Sequence, residues 1–346
     1  MATSELYHTG PISLQYGGHL PEAYLSYKTF GTVNAAKDNV VLFPTWCAGT
    51  HRDVEWIIGP GRGLDPAKYF IVVVDMFGNG MSSSPSNTPP PFDRGRFPRV
   101  SILDNVIQQR RLLQDLFGIE RLKLVVGRSM GAQIAFQWGS YFADEVERIL
   151  PMCGSARTSP HNYIFLATMK MAVKSSPDWL GGEYSDNAVG SLRQFWLNAD
   201  AWGFSQAYYR QGLHITDRHV DTQEYLDRPL PEKMVDANDL LAQFATWEVA
   251  DISDNVKFNK DFAAALRAIE AKAIVMPSRT DMYFPPDDSM IEVGMMRNAQ
   301  LRVIPSIWGH RAASPGSDPR DIQLFEKAIT DLLEDKMETE DEAATF

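Results

Sequence analysis

The chain has 346 residues, 44% hydrophobic and 22% charged, a balance that excludes wholesale disorder and is far too long for a disulfide-stapled miniprotein. Against 44 Asp and Glu stand only 33 Lys and Arg, a formal charge of −11 with no basic patch, so no nucleic-acid partner is expected. Two cysteines, Cys47 and Cys153, offer no metal-ligand spacing, and two reduced thiols in a cytoplasmic protein without metal are the expectation.

Met1 to Leu6 lacks the basic and apolar regions of a signal peptide. Ile12 to Tyr16 and Ala23 to Phe30 read as two strands joined at Gly17-Gly18. Val40 to Phe43, Ile71 to Val74, Leu122 to Val126, Ile149 to Cys153, Ala273 to Met276 and Leu301 to Ile304 follow. Runs apolar on both faces suit central parallel strands, and all are far shorter than the roughly 20 residues of a membrane helix. Between them Ile102, Val106, Leu112, Leu113 and Leu116 recur at helical spacing behind Ser101 as N-cap. Ile322, Phe325, Ile329, Leu332 and Leu333 predict a closing helix. The fold class is therefore α/β, a mostly parallel sheet flanked by helices.

From about Arg157 to Ala268 no strand is predicted. Helical spacing there fits Ile164-Thr168-Met171, Leu192-Phe195-Trp196-Ala199 and Leu240-Leu241-Phe244-Trp247, broken at Ser176-Pro177, Gly181-Gly182 and Pro229-Leu230-Pro231. The expected division is a core of residues 1–155 and 270–346, with residues 156–269 as an inserted helical lid. Beyond the closing helix, Glu334, Asp335, Glu338, Glu340, Asp341 and Glu342 face only Lys336, which predicts a solvated terminus.

Gly127-Arg128-Ser129-Met130-Gly131 is a G-x-S-x-G sequence set between a buried strand and a helical pattern. Such a turn lifts a serine hydroxyl proud of the sheet and places the following amide, that of Met130, at a helix N-terminus aimed at a developing oxyanion. A serine needs a base, and the base a carboxylate to fix its tautomer. Of the histidines after Ser129, His310 lies just past the last predicted strand, whereas His161, His214 and His219 fall in the helical insertion and read as packing or surface groups. Asp281 stands just beyond another strand, and Asp287 and Asp288 read as helix caps. The second oxyanion donor is expected from the turn Pro44 to Gly49, where spacing leaves Trp46 and Cys47 both open; Cys47 itself reads as a packed, unreactive thiol.

These motifs resemble the homoserine O-acetyltransferase-like family of α/β-hydrolases over most of the chain. The resemblance rests on Ile58-Gly59-Pro60-Gly61 with Leu64-Asp65 and Tyr69-Phe70, on Phe97-Pro98, Asp104-Asn105-Val106 and Gln109, and on Ser129-Met130-Gly131. Asp236-Ala237-Asn238, Asp281 to Pro286 and Gly309-His310 complete it. It implies an α/β-hydrolase fold, the triad Ser129, Asp281 and His310, and a homodimer formed through the lid.

Three positions depart from the acetyltransferase pattern. The elbow is Gly127-Arg128 where that family has Gly-Gly, and Arg311 follows the histidine where it has Asp. Val189 to Trp196 does not reproduce its lid Ala-Arg pair, and Phe195, Trp196, Trp202, Phe204, Tyr208 and Tyr209 crowd the region. Arg128 and Arg311 are the candidate substrate-contacting cations, although Arg128 could instead turn away to a carboxylate. An apolar acyl or alkyl pocket is favoured over a site for a zwitterion. The chain is thus more similar to the family's ester-hydrolase offshoot than to its biosynthetic transferases. The expected activity is hydrolysis of short carboxylic esters, acetates among them, through an acyl-Ser129 intermediate and without a cofactor. Acetyl transfer from acetyl-CoA to homoserine is the alternative, and a silent binding protein is disfavoured by the intact triad.

Overall fold

The apolar runs assemble into one eight-stranded sheet in the computed structural model of the protein, which describes residues 4–230 and 235–337. Its strands are β1 (Glu5–Ser13), β2 (His19–Phe30), β3 (Val40–Pro44), β4 (Phe70–Val74), β5 (Leu124–Arg128), β6 (Arg148–Met152), β7 (Lys272–Val275) and β8 (Ala299–Leu301). The helices are α1 (Ile102–Phe117), α2 (Met130–Tyr141), α3 (Pro160–Lys174), α4 (Val189–Gly203), α5 (Gln206–Arg210), α6 (Thr222–Asp227), α7 (Ala237–Glu248), α8 (Phe262–Arg267), α9 (Pro286–Val293) and α10 (Pro319–Leu333). Strand order is β1-β2-β4-β3-β5-β6-β7-β8. The β1–β2 and β2–β4 pairs are antiparallel and all others parallel.

Period-two alternation divides the core. Val40, Leu42, Val72, Val74 and Val125 face one layer, shared with Leu112 and Leu113 of α1 and Ile134, Phe136 and Trp138 of α2. Val41, Phe43, Ile71, Val73, Leu124 and Val126 face the other, covered by Phe325, Ala328, Ile329 and Leu332 of α10. Burial on both faces is why these strands lack a polar side. Helix α1 starts where Ser101 predicts, with the Ser101 hydroxyl accepting from the Asp104 amide at 2.9 Å and Asp104 returning to the Ser101 amide.

Some boundaries differ from the sequence expectation. The first strand ends at Ser13, because Leu14 to Gly18 close a turn through the Leu14 and Gly17 amides and pairing begins at Ser13 opposite His19. The last strand is short, and Ile304 reaches its neighbour only as an isolated bridge to Ser278. Asp287 and Asp288 lie in the first turn of α9 behind Pro285 and Pro286 and cap nothing. In α3 the buried face is Phe165, Leu166, Met169 and Val173, whereas Ile164 and Met171 are 62% and 69% exposed. At the terminus Asp335 is not free: it accepts from Arg148 at 3.0 Å and Lys272 at 2.8 Å. Pro231 and positions 338–346 lie outside the described residues.

Helices α3 to α8 come between β6 and β7 in the chain. The chain leaves β3 for β4 on one side and returns through β5 on the other, so the C-terminal ends of β3 and β5 meet at a topological switch point, the usual crevice of such sheets. Helix α2 starts there. Its Phe136 is fully buried, and Phe136→Ala should lower stability by about 3–5 kcal/mol through lost transfer energy and a residual cavity, read as a fall in the urea midpoint.

Candidate active site

Ser129 sits between β5 and α2 with φ 55° and ψ −125°, a conformation that L residues rarely hold. Two close approaches permit the turn. A Cβ on Gly127 would lie 2.0 Å from the Gly131 carbonyl oxygen, and one on Gly131 would lie 2.7 Å from that of Pro44. The Ser129 amide donates to the Met152 carbonyl at 2.9 Å, which ties the turn to the end of β6. Ser129 is only 3% exposed and faces a cavity covered by the inserted helices.

Asp281, beyond β7, and His310, in the single 3-10 turn Gly309–Arg311 after β8, converge on that hydroxyl. His310 Nε2 lies 3.0 Å from Ser129 Oγ, and its Nδ1 lies 2.8 Å from Asp281 Oδ2. The other oxygen of Asp281 accepts from the Tyr283 and Phe284 amides at 2.7 and 3.0 Å, so the carboxylate is fixed from both ends. Thr280 joins the two loops, its hydroxyl donating to the Ser306 carbonyl and accepting from the Gly309 amide. Tyr283 packs its ring 4.4 Å from that of His310. Burial holds the His310 imidazole below its ordinary 6.5; Asp281 opposes that shift, and the charges of Arg128 and Arg311 add to it.

The turn after β3 lies across the cavity from this chain of bonds. The Thr45 amide donates to Val74, that of Ala48 to Gln243 Oε1 at 2.8 Å and that of Gly49 to Trp46. Trp46 and Cys47 keep amides with no acceptor among the described residues, and so does Met130 at the first position of α2. Geometry thus leaves the same two candidates that spacing left. Burial pushes the Cys47 thiol up to about 12, which makes it a poor nucleophile.

Arg128 is buried, and desolvation lowers its pKa. Its terminal nitrogens donate to the His310 carbonyl and the Ser314 hydroxyl, so this cation, which also lines the cavity, holds the histidine loop and pairs with no carboxylate among the described residues. Arg311 is half-buried and lines the cavity. His161 bonds the Met282 carbonyl and His214 bonds Thr222, and neither reaches the Ser129 chain.

The cavity measures about 480 Å³. Phe165 and Met169 of α3, Phe195 and Trp196 of α4, and Phe244 and Trp247 of α7 make its wall apolar. Of the aromatics that crowd the inserted region, Phe195, Trp196 and Phe204 line the site, while Tyr208 stacks on Phe204 at 4.2 Å and Trp202 packs on Phe165 at 5.4 Å.

Sequence reading passed over the support beneath the turn after β3. Asp75, fully buried at the end of β4, accepts from Ser26 Oγ, the His51 amide and Asn79 Nδ2, and bonds His51 Nδ1 at 2.7 Å. Asn79 in turn donates to the Gly49 carbonyl at 3.0 Å. An acidic residue ending a wholly apolar strand was the one available signal. Among the described residues no group of three or more His, Cys, Asp or Glu could hold a metal ion, and no helix is long and apolar enough to cross a membrane.

A family profile described as the alpha/beta hydrolase fold matches residues 38–310. The chain is 40% identical over 310 residues to a probable esterase of Corynebacterium glutamicum, covering 87% of each chain. It is 37% identical over 336 residues to the ethyl acetate hydrolase of Pseudomonas veronii, covering 95% of each. Among solved structures the acetyl esterase MekB superposes with a TM-score of 0.91 at 35% identity, over 96% of this chain and 97% of that one. Homoserine O-acetyltransferases are more distant, at 26–28% identity.

A base must be neutral to take a proton, and a depressed His310 stays neutral into more acidic solution. The acid limb of kcat/KM for an ester should therefore inflect below pH 6.5, and an inflection at or above that value would contradict the burial described.

Proposed function

Because the chain belongs to the alpha/beta hydrolase fold family, we propose that it is a serine esterase that hydrolyses short acetate esters through a covalent acyl-Ser129. The observation that carries this reading is the unbroken bond chain from Asp281 through His310 to Ser129 at an apolar cavity. Ser129 Oγ attacks the acyl carbon while His310 Nε2 takes its proton, and Asp281 holds the imidazolium that results. The oxyanion meets the Met130 amide and that of Trp46 or Cys47, each contributing on the order of 3 kcal/mol to the transition state. His310 returns the proton to the departing alcohol, and water then repeats the sequence in reverse roles to release acetate.

Transfer to homoserine is the less favoured reading. An amino-acid acceptor brings an ammonium that needs a carboxylate, because an unpaired charge is costly to desolvate. Of the residues lining the cavity only Asp53 has one, and it already accepts from the Thr50 amide and hydroxyl. The names of the more similar relatives point the same way.

We also propose a homodimer through the inserted helices, which would act as a lid over the site. Tyr163, Ile164 and Met171 on α3, Leu180 and Val189 leave an exposed apolar set that twofold pairing would cover. Cys47 and Cys153 are both unpaired, which supports a reducing, cytoplasmic setting.

Three measurements test these readings. Phenyl acetate should be hydrolysed, while acetyl-CoA and homoserine at millimolar levels should give no O-acetylhomoserine; the opposite pattern would reverse the assignment. Ser129→Ala should remove nearly all turnover yet leave the thermal midpoint within a few degrees, and combining it with His310→Ala or Asp281→Asn should add little further loss. Light scattering at micromolar concentration should give twice the chain mass, and a monomer would refute the pairing.

A further inference from the structure

Among the residues lining the cavity around Ser129, the acids, arginines and histidines are Asp53, Arg128, His310 and Arg311, and three of these four are already committed. Asp53 is bonded to Thr50, Arg128 to His310 and Ser314, and His310 to Asp281 and Ser129. The fourth, Arg311, has neither an ion pair nor a side-chain hydrogen bond with any described residue. Its Nε lies 3.9 Å from where a Cβ on Gly203 would stand, at the C-terminal end of α4. No carboxylate within ion-pair distance balances it, and the nearby cation Arg128 carries the same sign.

A guanidinium presents five donors in a planar fork that suits a carboxylate, and holding it half-buried without a partner is unfavourable. The arrangement is more favourable once an anion enters. We propose that Arg311 is a carboxylate-recognition subsite of this cavity, and that the preferred substrates are acetate esters whose alcohol portion carries a carboxylate. This inference rests on the esterase reading above. The carboxylate belongs to the alcohol portion because His310, which protonates the leaving oxygen, directly precedes Arg311 in the chain. A free ammonium on the substrate is disfavoured by the two arginines and by the lack of an uncommitted acid. The chemistry balances without a further reagent: the ester C–O bond breaks as the bond to Ser129 Oγ forms, and His310 passes the serine proton to the alkoxide. The hydroxycarboxylate leaves, and water then splits the acyl-enzyme, restoring the Ser129 hydroxyl and giving acetate and one proton.

The test compares ω-acetoxy carboxylates of two to four carbons, such as 4-acetoxybutanoate, with uncharged alkyl acetates of matched length, such as butyl acetate. In the wild type the best charged ester should exceed its neutral match in kcat/KM tenfold or more, as a charge-assisted contact predicts. Arg311→Gln should bring that ratio close to one, whatever it does to either rate alone, and Arg311→Lys should keep part of the preference. A second measurement needs no variant. 4-Hydroxybutanoate should inhibit butyl acetate hydrolysis at concentrations at least tenfold below those at which 1-butanol does. A wild-type ratio near one, a preference that survives in Arg311→Gln, or equal inhibition by acid and alcohol would each overturn the subsite while leaving the esterase in place. No turnover of either ester, together with no labelling of Ser129 by a serine-directed phosphonate, would remove the esterase reading and the subsite together.

Discussion

The site depends on one backbone contact, the approach of the turn after β5 to the end of β3. Gly131 lies so close to the Pro44 carbonyl that a side chain there would collide with it. That approach sets the first amide of α2 beside the turn from Thr45 to Gly49, so two unpaired N–H groups from different strands can face one point. Holding Ser129 at φ 55° costs of order 1–3 kcal/mol. The cost is offset locally by the bond from its amide to Met152 and by the burial of Ile134, Phe136 and Trp138 along α2. A nucleophile on a freely flexible loop would keep neither its own aim nor the distance to its base.

Electrostatics at the site are asymmetric. One carboxylate, Asp281, serves the imidazole and has both oxygens occupied, whereas two arginines stand near it. A buried cation that pairs with a carbonyl and a hydroxyl, as Arg128 does, gains less than one facing a carboxylate. Its return is geometric: the His310 backbone is tied to the strand that carries the nucleophile, so base and serine share one rigid support.

Much of this was legible in the sequence. Strands apolar on both faces stood out because a doubly covered sheet leaves no polar alternation, and Ser129, Asp281 and His310 could be chosen because each follows a strand in chain order. What was not legible is long-range pairing. Nothing in the sequence joins Arg128 to His310, 182 positions away, or Asp75 to His51 and Ser26. Helical spacing predicted α3 without saying which of its faces is buried. That helix packs on other inserted helices as well as on the cavity, so Ile164 and Met171 satisfy helical spacing yet point outward. The aromatics of α4 were ambiguous on the same ground, since a side chain that lines an apolar cavity and one that fills a core have the same composition.

Helix α7 is fastened to the core by polar bonds at three heights. Gln243 accepts from the Ala48 amide, Asp239 accepts from the Ser86 amide and hydroxyl at 2.9 and 2.6 Å, and Thr246 donates to the Val100 carbonyl at 2.7 Å. Lifting α7 would strand these groups, each at a cost of about 1–3 kcal/mol where water cannot replace the partner. It would also release the loop that carries the unpaired Trp46 and Cys47 amides. This side of the cavity therefore behaves as a fixed wall and not as a swinging door. The shape of that wall is set by side chains such as Phe244 and Trp247, both almost fully buried, rather than by a hinge.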